Sequence, residues 1–84
     1  SGEAKSRVLI VEDNHALGSF LRNILWEHFE VEEAANGAEA WERIAQFRPD
    51  LVVSDLAMPK MDGLELCRKI KSSPETASIP VVLL

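Results

Sequence analysis

Three short runs in this 84-residue chain are too apolar to lie comfortably against water: Val8-Leu9-Ile10-Val11, Leu51-Val52-Val53 with Ser54, and Val81-Val82-Leu83-Leu84. Brief runs rich in β-branched residues read as strands covered on both faces, the situation of strands in a parallel sheet. What lies between them must then return the chain to the same end of the sheet each time, and the intervals carry the marks of helices that do so.

The first interval opens with Glu12-Asp13-Asn14 and continues as a helix from about His15 to His28, with Leu17, Phe20, Leu21, Ile24 and Leu25 at helical spacing on one face. Asp13 or Asn14 can cap it by accepting backbone N–H bonds. From Phe29 to Ala35, the residues Phe29, Val31 and Glu33 alternate against Glu30 and Glu32, which predicts a half-exposed strand at a sheet edge. Asn36-Gly37-Ala38-Glu39 is a turn feeding a capping box. The helix it opens puts Trp41, Ile44 and Ala45 on one face and ends before Pro49, since a residue preceding proline avoids helical geometry.

After the second apolar run comes Asp55, then a loop from Leu56 to Met61. Asp62 and Glu65 form another capping box, and Leu66, Cys67 and Ile70 give the next helix its inner face. A polar loop, Ser72 to Ser78, and Pro80 lead into the last run, which reads as a third buried strand. The order is βαβαβαβ, an α/β domain with a parallel sheet and right-handed crossovers. Residues 1–6 read as a leader, with Ser1-Gly2 as a tag-cleavage scar, and the domain as 7–84.

Composition removes several function classes. The net charge is -5 with nine scattered Lys and Arg, so there is no clustered basic face for direct nucleic-acid binding. The single cysteine, Cys67, rules out a disulfide framework and fits a reducing compartment. No apolar run approaches the roughly 20 residues that span a bilayer, and no secretory signal opens the sequence, so no membrane insertion is expected.

Chemistry concentrates at strand ends. Glu12 and Asp13 follow the first apolar run and Asp55 follows the second. Each acid alone is a plausible turn former or helix cap. In an open α/β sheet, however, the ligand crevice lies outside the carboxyl ends of the strands where their order reverses. If these two strands are neighbours, the three carboxylates converge, and a cation is needed to keep them ionised together. Hard oxygen ligands suit Mg²⁺, and His15 and His28, thirteen positions apart, do not form a ligand pair for a softer metal. A carboxylate beside such an ion can be a nucleophile towards a phosphoryl group. Asp55, standing alone on its strand end, is the candidate nucleophile, with Glu12 and Asp13 as the ion anchor.

Val8-Leu9-Ile10-Val11-Glu12-Asp13-Asn14 resembles the opening of a two-component response-regulator receiver domain. Ser54-Asp55-Leu56-Ala57-Met58-Pro59-Lys60-Met61-Asp62-Gly63 resembles its phosphoacceptor loop, and Ile79-Pro80-Val81-Val82-Leu83-Leu84 its fourth strand. The resemblance implies a flavodoxin-like doubly wound sheet of order 2-1-3-4. It implies that Asp55 accepts a phosphoryl group from a histidine kinase or phosphotransfer domain. Asp13 would bind Mg²⁺ directly, Glu12 largely through water, and Ala57 through its backbone carbonyl. Gly63 would let the loop join the next helix closely. The domain would be a phosphoacceptor switch that assists its own phosphorylation, not a turnover enzyme. It is expected in the cytoplasm, alone or as the cytoplasmic part of a membrane-anchored hybrid kinase.

The family pattern continues past Leu84 with a Ser or Thr, a Lys and a closing αβα portion, none of which is in this sequence. Two consequences are expected: an open, apolar edge at Val81–Leu84 that invites self-association, and a first helix without the last helix it would pack against, leaving part of the sheet bare. Two other readings compete: an inert or truncated receiver acting only as an interaction module, and a Mg²⁺-dependent aspartyl phosphatase. Such phosphatases commonly place a second acid two residues after the nucleophile, where this chain has Ala57.

Overall fold

The computed structural model describes residues 5–56 and 61–84. The chain runs β1 (Arg7–Val11), α1 (His15–Leu25), β2 (Glu30–Ala34), α2 (Gly37–Phe47), β3 (Leu51–Ser54), α3 (Gly63–Ser72) and β4 (Val81–Leu83). The four strands are all parallel and lie in the order β2-β1-β3-β4, so the expected topology stands. Ser1 to Ala4, which belong to the expected leader, and Ala57 to Lys60 lie outside the described residues.

Alternation along β1 divides the molecule into two layers, because successive side chains point to opposite faces of a strand. Leu9 and Val11 point into the larger core, with Val52 of β3, Ala40, Ile44 and Phe47 of α2, and Leu66 and Ile70 of α3. Val8 and Ile10 point the other way, joining Val31 under Leu21 and Leu25 of α1. One strand thus serves two layers, as a doubly wound sheet requires.

Each helix starts on a side-chain oxygen that takes a backbone N–H the helix itself cannot satisfy. Asn14 accepts from Leu17 (3.1 Å), Asn36 from Glu39 (2.9 Å) and Asp62 from Glu65 (2.8 Å). The carboxylate of Glu39 does not complete the predicted box; it sits 3.3 Å from Arg43 Nε, one turn further on. At the far end of α2, Arg48 adopts left-handed backbone (φ 52°) and its N–H closes on Ile44 O, stopping the helix before Pro49.

The structure corrects four local readings. α1 ends at Leu25 rather than His28, because Leu25 O takes both the His28 and Phe29 N–H groups and turns the chain back towards β2. The buried face of α2 is Ala40, Ile44 and Phe47, and Ala45 is exposed. Cys67 is half-buried beside the inward Leu66 and Ile70. β4 is not buried on both faces: Val82 is 43 % exposed, and Leu84, just beyond the strand, is 64 % exposed. On the apolar face read for α1, Phe20 is 60 % and Ile24 56 % exposed.

The two sheet edges differ in chemistry. β2 carries Glu30, Glu32 and Glu33, held by Arg7 (3.2 Å), Arg43 (3.3 Å) and Arg22 (3.6 Å) respectively. Charged side chains of this kind blunt an edge against further strands. β4 has no charged residue.

Candidate functional site

Parallel pairing of β1 with β3 puts Val11 opposite Ser54. The next residue on each strand is therefore an acid, Glu12 on one and Asp55 on the other. The ladder continues just far enough to fix both: Glu12 N–H donates to Ala34 O (3.0 Å) and Asp55 N–H to Val11 O (2.9 Å). Asp13 follows, ahead of the Asn14 cap. One carboxylate oxygen from each of Glu12, Asp13 and Asp55 lies within 4.8 Å of the others. The three acids singled out in the sequence converge.

Like charges at this spacing have a cost that shows at Glu12. Its carboxyl is held above the usual carboxylate range, first by burial and then by the charges of Asp55 and Asp13; the Asn14 backbone N–H, donated to Glu12 Oε1 at 3.1 Å, works the other way. A hard divalent cation coordinated by all three oxygens would remove that repulsion. The donor set, three carboxylates and no nitrogen or sulfur, fits magnesium or calcium rather than zinc.

The supports of Asp55 are close by. Ser54, fully buried at the end of β3, donates its hydroxyl to Asp55 O (2.9 Å). Gly63 N–H donates to Leu56 O (2.8 Å), and a Cβ on Gly63 would strike the Asp55 carbonyl and come within 3.0 Å of Leu56 Cα. The expectation that glycine lets the loop join α3 closely is met here. The carbonyl of Ala57 lies outside the described residues.

Over residues 8–84 the sequence matches the response regulator receiver domain family. The chain belongs to the receiver domain family.

Among relatives of this receiver, it is 48% identical over 80 residues to histidine kinase P4 of Formosa agariphila, covering 95% of this chain and 6% of that protein. It is 39% identical over 79 residues to the phosphate regulon transcriptional regulatory protein PhoB of Rhizobium meliloti, covering 93% of this chain and 35% of the regulator. Among solved structures, the receiver domain of a signal transduction histidine kinase from Syntrophus aciditrophicus superposes with a TM-score of 0.90 at 44% identity, covering 94% of this chain and 61% of that one. The receiver thus spans less than two thirds of each.

Sequence reasoning missed the acidic flank of the site. A depression of about 220 Å³ beside the cluster is lined by Glu12, Asp13, His15, Glu33, Ala34, Ala35 and Glu39. The available signal was Glu33, an acid at an inward position of the β2 alternation. His15 lines the same depression as the exposed first residue of α1, in keeping with a polar helix-start residue.

Proposed function

We propose that this receiver takes a phosphoryl group onto Asp55 from the phosphohistidine of a histidine kinase or phosphotransfer domain, and that the modified site switches a signalling surface. The observation that carries the reading is the convergence of Glu12, Asp13 and Asp55 within 4.8 Å at the sheet's carboxyl end. A carboxylate oxygen of Asp55 attacks phosphorus, the P–N bond to the donor imidazole breaks, and the electron pair leaves on that nitrogen. Asp55 ends as an acyl phosphate, so the chain is a stoichiometric acceptor and not a turnover enzyme. Glu12, Asp13 and Asp55, with the Ala57 carbonyl as a further ligand, would hold a Mg²⁺ ion, which supplies positive charge against the transferring oxygens. Ser54 and Gly63 keep the Asp55 backbone in place. A cytoplasmic setting follows from the donor, whether the receiver is joined to a regulator or to a kinase, both of which occur among its relatives. No described helix is long and apolar enough to cross a membrane.

Incubation with acetyl phosphate and Mg²⁺ should add one phosphoryl group by intact mass. An unmodified chain with no saturable Mg²⁺ site that Asp13→Asn removes would instead favour an inert interaction module.

Metal binding has its own readout. Mg²⁺ at a hundred times its dissociation constant should stabilise the fold by about 2.7 kcal/mol. In a domain of this size that raises the thermal midpoint by on the order of 10 °C. Asp13→Asn should lose most of this shift while remaining folded, since Asp13 is exposed. An equal shift in the variant would remove Asp13 from the ligand set.

We further propose that the 84-residue chain associates with a second copy through β4, because that edge is uncharged whereas β2 is guarded by acids. Sedimentation should show mass rising with concentration, and Val82→Lys should suppress it. A concentration-independent monomer mass would end this idea.

A further inference from the structure

A fourth carboxylate stands beside the acid site without joining the three that converge. Glu33 of β2 pairs with Ile10 of β1, and Glu12 lies two residues beyond Ile10, so both side chains project from the α1 face of the sheet. α1 crosses that face at Gly18, which is buried. A Cβ built on Gly18 would lie 2.8 Å from Glu33 Oε1 and 3.9 Å from Glu12 Cβ. The missing side chain therefore leaves a seat for one oxygen of Glu33. The other oxygen, Oε2, faces Arg22 Nη1 at 3.6 Å, one turn further along α1.

The depression of about 220 Å³ lined by Glu12, Asp13, Glu33 and Glu39 opens next to this seat. Its two flanking acids are each held by an arginine. Glu39 is paired with Arg43 on its own helix at 3.3 Å, whereas the partner of Glu33 reaches across from α1 to β2. A glutamate has rotatable side-chain bonds, so what fixes the Glu33 charge is this pairing and not its backbone.

We infer that Arg22 is a positioning residue for the metal site: by holding the Glu33 carboxylate in the Gly18 seat, it keeps a fourth negative charge out of the depression beside Glu12 and Asp13. Released from Arg22, that carboxylate turns into the depression. There it adds attraction for a divalent cation and repulsion for an anionic phosphoryl donor. This inference rests on the reading of Glu12, Asp13 and Asp55 as a magnesium site.

The test measures Mg²⁺ dissociation constants by titration calorimetry for the wild type, Arg22→Gln, Glu33→Gln and the double variant. Ionic strength is held at about 0.15 M, where charges more than about 8 Å apart are largely screened. The Arg22 side chain is 56 % exposed, so its replacement removes little packing, and circular dichroism checks that each chain is folded. Arg22→Gln should bind Mg²⁺ about three- to tenfold more tightly, the scale of one added charge acting on a divalent ion at close range. Placed on Glu33→Gln, the same substitution should change the affinity by less than about twofold, because the carboxylate it releases is gone. An Arg22→Gln affinity equal to or weaker than wild type overturns the inference. So does a gain that persists in full on Glu33→Gln, since that is only the loss of a distant positive charge and needs no movement of Glu33. A wild type with no saturable Mg²⁺ site is a different result, one that removes the metal-site reading itself.

Discussion

Asp55→Asn is expected to abolish the phosphoryl adduct completely while leaving the chain folded. The substitution keeps the shape of the side chain and exchanges one carboxylate oxygen for an amide nitrogen, which removes the nucleophile. Asp55 sits half-buried beyond the last residue of β3, and the bonds that hold its backbone, to Val11 O and from Ser54 Oγ, do not involve its carboxylate. Those backbone bonds remain in the variant. The acid cluster responds. Burial raises the Glu12 carboxyl most, and the Asp55 charge adds to it. Removing that charge leaves Glu12 closer to its ordinary range, so without metal the variant should be as stable as wild type or slightly more so. Magnesium should bind more weakly, having lost one anionic ligand. Intact mass after acetyl phosphate treatment, read beside thermal unfolding with and without Mg²⁺, checks all three. An adduct persisting in Asp55→Asn would mean that another residue is the acceptor.

The fold was legible because three uncharged runs could only be strands, and because Asn36 and Asp62 announce the starts of α2 and α3 one residue ahead. The acid cluster was legible for a related reason. Strands that pair in parallel and end at the same level bring whatever follows them together, so Glu12 and Asp55 had to meet once β1 and β3 were neighbours. What escaped depends on contacts distant in sequence. Helical periodicity groups Trp41, Ile44 and Ala45, but rotation of α2 onto the sheet is set by what it meets, and it meets the core through Ala40, Ile44 and Phe47. Likewise, the approach of Gly37 to Met61 spans two elements and has no local signature. The apolar stripe on α1 gives a face but not its cover, and Phe20 and Ile24 remain exposed.

Leu66→Ala should be the most damaging single truncation beneath the site. Leu66 is fully buried where α3 meets the core that also holds Leu9, Val52 and Ile44, so the lost methyl groups leave a cavity that a packed interior closes only in part. Truncations of this kind cost about 2–5 kcal/mol. A chain of 84 residues has a total stability on the order of 4–13 kcal/mol, so one side chain removes a large share of it. The urea midpoint should fall by on the order of 2 M. Leu64→Ala, on the outer side of the same helix at 45 % exposure, should change stability by less than about 0.5 kcal/mol. The consequence for the site follows from connectivity. α3 is joined to the Asp55 strand end by the Gly63 N–H bond to Leu56 O. Phosphorylation of Leu66→Ala should therefore fall in step with the folded fraction as urea is added, reaching half its value at the lowered midpoint. If reactivity disappears well before the helical signal, the acid site is coupled to α3 more tightly than to the sheet. If it outlasts that signal, β1 and β3 alone hold the three carboxylates together.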